Sequence, residues 1–116
     1  MTSKSNIYAQ FFLSFLTLAA TNIYADDNND LGMNIAFDRS KGNCLACHVI
    51  AGGESPGDIG PELSNMKQRY PDVHILRDRI WDETKYNPYT VMPPFGKHKI
   101  LSEDEIDHVV RFIHSL

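Results

Sequence analysis

The chain has 116 residues, 42% hydrophobic and 22% charged, with a formal charge of −4. That length bounds it to one small domain, and the acidic balance argues against a primary role in binding nucleic acid. Two cysteines are too few for an all-cysteine zinc site, which needs about four, and there is no second C-x-x-C; they are also too few for a disulfide scaffold.

The first 25 residues read as a cleavable secretory signal peptide. Lys4 gives a weakly positive start, Phe11 to Ala20 is apolar, and Ile23-Tyr24-Ala25 resembles a small-residue cleavage site. A membrane span takes about 20 apolar residues, and this run has about half of that; the alternative is an uncleaved anchor. Cleavage leaves a 26–116 domain of 91 residues with ten basic and fifteen acidic side chains, and places it in the periplasm. Asp26 to Asp30 is an acidic lead-in, expected to be frayed. Met33 to Ser40, carrying Ile35, Ala36 and Phe37, is expected to form the first helix.

Residues 44–48 then read Cys-Leu-Ala-Cys-His. C-x-x-C-H is the attachment signature of a c-type haem. Cys44 and Cys47 would add to the two porphyrin vinyl groups as thioethers. His48, tethered at once behind them, would be the proximal iron ligand. A redox dithiol or a structural disulfide between the two cysteines is the competing reading, and neither explains His48. One haem of this size would supply much of the core that 91 residues cannot.

Gly52-Gly53, Ser55-Pro56-Gly57 and Gly60-Pro61 mark a loop rich in turn residues. Leu63 to Arg69 reads as a short helix, broken by Tyr70-Pro71. Asp72 is a candidate N-cap for a helix carrying Ile75, Leu76, Ile80 and Trp81, which Asn87-Pro88 ends. Met92 follows in Met92-Pro93-Pro94-Phe95-Gly96, 44 residues after His48. Two prolines restrict the backbone behind a soft thioether, so Met92 is the candidate distal iron ligand. Met66, in an apparent helix, and Met33 are expected to pack. His74, His98, His108 and His114 are the remaining candidates for a second nitrogen ligand. In the last segment, Ser102 and Glu105 form an S-x-x-E capping box. Ile106, Val109, Val110, Ile113 and Leu116 recur behind it at helical spacing, giving one apolar face. No alternating strand pattern appears, so the chain is expected to be all-α.

The order Cys44-x-x-Cys47-His48, Gly60-Pro61-x-Leu63, Met92-Pro93 and a C-terminal amphipathic helix resembles small class I c-type cytochromes, in which helices wrap around one covalently attached haem. That resemblance implies crossed first and last helices, with Phe37 against the Val110/Ile113 side. It also implies a Pro61 carbonyl that accepts a hydrogen bond from His48. Trp81 would either donate to a haem propionate or pack in the core. Further stretches are similar to SoxX, the monohaem subunit of the SoxAX complex of bacterial sulfur oxidation. They include Pro56-Gly57-Asp58-Ile59-Gly60-Pro61, Arg69-Tyr70-Pro71-Asp72, Ile80-Trp81-Asp82 and Met92-Pro93-Pro94-Phe95-Gly96-Lys97-His98. The resemblance implies an electron-transfer subunit of an L-cysteine S-thiosulfotransferase-type complex. Its partners would be a haem-bearing SoxA-like cytochrome, the carrier SoxYZ and a downstream cytochrome acceptor. With both axial positions filled, the chain itself would hold no catalytic residue. Lys97, His98 and Lys99 form a basic patch after the ligand loop, either a solvated turn or a docking site for an acidic partner.

Overall fold

The computed structural model describes residues 27–116, so the signal-peptide reading of residues 1–25 lies outside the described residues. Four α-helices and two short 3₁₀ turns make up its regular structure. No helix among the described residues is long and apolar enough to cross a membrane. Among the described residues the strand content is a single isolated parallel bridge, Ile50 to Leu63.

Helix α1 spans Asp27–Phe37 and α4 spans Glu103–Ser115. They cross, and Gly32 is what lets them approach. A Cβ there would fall 2.2 Å from the His108 carbonyl oxygen and 2.7 Å from Phe112 Cβ. Ile35 and Ala36 are buried against the α4 stripe of Ile106, Val109, Val110 and Ile113. Phe37 meets Phe112 edge-on, with ring centroids 5.8 Å apart at 86°; this geometry favours the ring quadrupoles beyond simple burial. Phe112, buried beside the expected stripe, is thus the actual partner of Phe37. At the outer end of the crossing, the Asn29 amide donates to Ser115 Oγ at 3.0 Å.

The first helix therefore begins six residues before Met33, inside the supposedly frayed acidic stretch, and ends at Phe37 rather than Ser40. The cause is tertiary, since Gly32 and Asn29 have partners on α4 that no local pattern reveals. Behind α1, the Asp38 carboxylate accepts from the Ser40 N–H and hydroxyl, forming a turn instead of another helical one.

Helix α2 is a single turn, Met66–Arg69, and α3 spans Val73–Trp81. The expected start at Leu63 fails because Leu63 is drawn into the bridge with Ile50, its N–H donating to the Val49 carbonyl at 2.9 Å. Asp72 does cap α3, accepting from the His74 N–H at 2.9 Å. The capping box of α4 is complete. Ser102 Oγ accepts from the Glu105 N–H, and Glu105 Oε2 accepts from the Ser102 N–H. Three acidic residues in that first turn suit the positive end of the helix dipole.

Candidate functional site

Cys44–Ala46 forms one 3₁₀ turn, entered through Asn43 at a φ of 48°. The Cys47 and His48 N–H groups both donate back to the Cys44 carbonyl, at 3.2 and 2.9 Å. This tight turn brings Cys44, Cys47 and His48 to the border of one cavity of about 770 Å³. The cysteines are not bonded to each other. Burial pushes the Cys44 thiol up to about 11, whereas a reactive dithiol depends on a lowered value. Cys44 is therefore not the activated thiol of a redox pair.

His48 is held from two sides. Its Nδ1–H donates to the Pro61 carbonyl at 2.7 Å. That bond selects the tautomer whose Nε2 lone pair is free to bind a metal. Gly60 lies against the imidazole, where a Cβ would sit 2.4 Å from Cε1 and 2.6 Å from Nδ1. The loop after the motif is tied back to it, with the Gly57 N–H on the Leu45 carbonyl and the Gly60 N–H on the Cys47 carbonyl, both at 2.7 Å.

Met92 borders the same cavity, half-buried, and its N–H donates to Thr90 Oγ1 at 3.1 Å. Met66 borders it too, but is buried, and its sulfur receives Arg69 Nη1 at 3.3 Å. Met33 packs against the core. Of the five histidines only His48 lines the cavity. His114 contacts the Tyr70 carbonyl at 3.0 Å, and His108 accepts from Arg111 at 2.9 Å. His74 and His98 are exposed.

Trp81 does not line the cavity. It is half-buried, stacked by Arg77 at 5.5 Å and covering Gly96. Lys97 is not a free rim charge. Its Nζ pairs with the buried Asp82 at 3.0 Å, leaving Lys99 as the exposed lysine of the patch.

Three features fit the cavity to a haem. Its volume lies within the ~300–1,000 Å³ of ligand cavities. Its walls are largely apolar, with Leu76, Ile80, Phe95, Val109 and Ile113 among them. Arg79 also borders it, with Nη1 on Glu83 at 2.7 Å, the guanidinium stacked on Tyr86 at 4.0 Å, and a buried Nε that has no partner. A cation with an unspent donor is what an acidic cofactor edge requires. Arg79 and Asp82 carry no local sequence signal of a site role, whereas the Gly60-Pro61 pairing marks Gly60.

A cytochrome c family model matches residues 32–116, and the chain belongs to the cytochrome c family. It is thus a c-type cytochrome, an electron-transfer protein with covalently attached haem c, and Cys44-Leu45-Ala46-Cys47-His48 is the matching attachment arrangement. The chain is also 34% identical over 79 residues to a protein described as an uncharacterized lipoprotein of Aquifex aeolicus (strain VF5). That alignment covers 64% of this chain and 36% of the relative, so it spans about a third of the relative's length.

Proposed function

We propose that this chain is an extracytoplasmic one-electron carrier in which His48 and Met92 hold the haem iron from its two faces. The observation that carries the reading is the His48 Nδ1–H bond to the Pro61 carbonyl, which leaves Nε2 as a donor at the cavity bounded by Met92. The bound haem supplies a single-electron Fe(III)/Fe(II) couple. His48 and Met92 would hold the iron and leave it no open position for substrate. The thioether favours the reduced state relative to a second nitrogen. The Pro93-Pro94 backbone limits reorganisation when the charge changes. The lipoprotein description of the Aquifex relative and the apolar leader of residues 1–25 both support a location outside the cytoplasm, in the periplasm.

The finer reading is a SoxX-like subunit. The chain would relay electrons released when a SoxA-like partner joins thiosulfate to a cysteine of SoxYZ, and pass them to a downstream cytochrome. Its support is the run Met92-Pro93-Pro94-Phe95-Gly96-Lys97-His98 together with Tyr70-Pro71-Asp72 and Ile80-Trp81-Asp82. The exposed Lys99 suits an acidic rim on such a partner. Purification from native cells tests it. Recovery with a larger haem-bearing partner and thiosulfate-dependent haem reduction is expected. A lone monomer, reduced only by unrelated donors, refutes the complex and leaves a free shuttle.

A further inference from the structure

The loop that carries Met92 is tied to the end of α3. The Gly96 and Lys97 N–H groups both donate to the Trp81 carbonyl, at 3.2 and 3.3 Å. Gly96 lies so close under the indole that a Cβ would fall 2.1 Å from ring carbons. The next residue, Asp82, is a charged side chain only 3% exposed. Its Oδ1 accepts from the Thr84 N–H at 3.2 Å and from the Thr84 hydroxyl, capping the 3₁₀ turn Glu83–Lys85. Its Oδ2 meets Lys97 Nζ at 3.0 Å. A buried carboxylate needs partners on both oxygens, and the 3₁₀ turn after α3 supplies a partner for only one of them. The other comes from the ligand loop.

We infer that Asp82 and Lys97 are a positioning pair that holds the Met92 loop against the haem iron. Neither residue lines the cavity, so they act through the backbone. Gly96 and Lys97 are pinned to α3. The Ile100 and Leu101 N–H groups fold back on the Phe95 carbonyl at 2.9 and 3.1 Å, closing a compact turn. From that turn to Met92 the link is Phe95, Pro94 and Pro93, two of whose φ angles are fixed by their rings. A shift at Lys97 has little slack to absorb it before it reaches the sulfur. The pair therefore sets how firmly the thioether stays on iron, whereas the fold at large rests on the α1/α4 crossing.

This rests on Met92 as distal ligand, and the test separates the two. Ferric holoprotein is titrated with imidazole, and the weak red thioether–iron absorption band is followed against temperature beside helical melting. Asp82→Asn keeps an acceptor for Thr84 and removes the ion pair. Lys97→Gln, at a side chain 56% exposed, removes it from the surface side. Each is expected to raise imidazole affinity about three- to tenfold, the range for a charge-assisted bond with one partner buried and the other at the surface. The red band should be lost at lower temperature while the helical melt moves less. The double variant should add little to either single, because both remove one interaction. Lys97→Arg should lie near wild type. Unchanged imidazole affinity in both single variants, or additive effects in the double, overturns the pairing. A wild type without the red band overturns the Met92 assignment, and the proposal with it.

Discussion

Gly60→Ala is the most exacting probe of the proximal side. The backbone at Gly60 lies outside the left-handed region, so alanine meets no conformational barrier and the whole effect is steric. The new methyl would start 2.4 Å from His48 Cε1, and carbon contacts settle near 3.5 Å. The ring must therefore retreat by about 1 Å, against a tether fixed at Cys44 and Cys47. A shift of that size takes the 2.7 Å bond to the Pro61 carbonyl past the ~3.2 Å limit of a good hydrogen bond. Overpacking costs about 1–3 kcal/mol and the lost bond about 1 kcal/mol. At the low end, about 2 kcal/mol, a domain this size loses roughly 8–16 °C of melting temperature. The imidazole also loses the partner that strengthens its donation, so the midpoint potential should rise. Gly52→Ala is the control. Nothing lies within 4 Å of its Cβ, and its φ is +81°. It should lower stability through backbone strain of about 1–2 kcal/mol and leave the haem spectrum and potential alone. Thermal melts and spectroelectrochemistry of the two holoproteins decide. An unmoved potential in Gly60→Ala, or an equal shift in Gly52→Ala, refutes the reasoning.

Met92→Ala should open the distal site, admit carbon monoxide to the ferrous protein and lower the potential, since a sulfur ligand is lost; ready carbon monoxide binding by wild type would sink the assignment. Arg79→Gln removes a cation bordering the cavity and should lower the midpoint potential in spectroelectrochemistry, while an unchanged value would reduce Arg79 to a partner for Glu83. Glu105 is held below the usual carboxylate value of 4.5, first by its bond from Lys41 and then by the Ser102 N–H. Its contribution is therefore complete above about pH 4.5 and is lost as pH falls through the lower folded-state value. Glu105→Gln should lower stability at neutral pH and flatten the acid limb of a denaturation series; an unchanged limb would show that the pair contributes nothing there.

What could be read from the chain was whatever its neighbours in sequence determine. The Ser102/Glu105 box and the Asp72 cap are local hydrogen bonds, three and two residues long, and both are present. The spacing of Cys44, Cys47 and His48 is likewise local, because one turn brings all three to the cavity. Helix boundaries were lost where tertiary partners decide them, at Asp27 through Gly32 and Asn29, and at Leu63 through Ile50. Arg79 and Asp82 belong to the same class. An arginine near the end of α3 and an aspartate just beyond it read as solvated charges, and only the cavity and the returning loop show one beside the cofactor space and the other buried. Lys97 illustrates the cost of reading charge by neighbourhood. Beside His98 and Lys99 it looks like part of a patch, yet its partner lies fifteen positions back.

The α1/α4 crossing also sets an order of events. Its contacts join the beginning of the described chain to its last residues, with Asn29 reaching Ser115 across 86 positions. Closing so long a loop is slow and waits for α4 to be present. Until the last helix arrives, nothing from α4 can wall the cavity through Val109 and Ile113, and the Cys44–His48 turn stays open on that side. The thiols are therefore most reachable for thioether formation before the ends meet, and least reachable afterwards. Attachment chemistry and final folding compete for the same interval, and lengthening that interval should favour the cofactor.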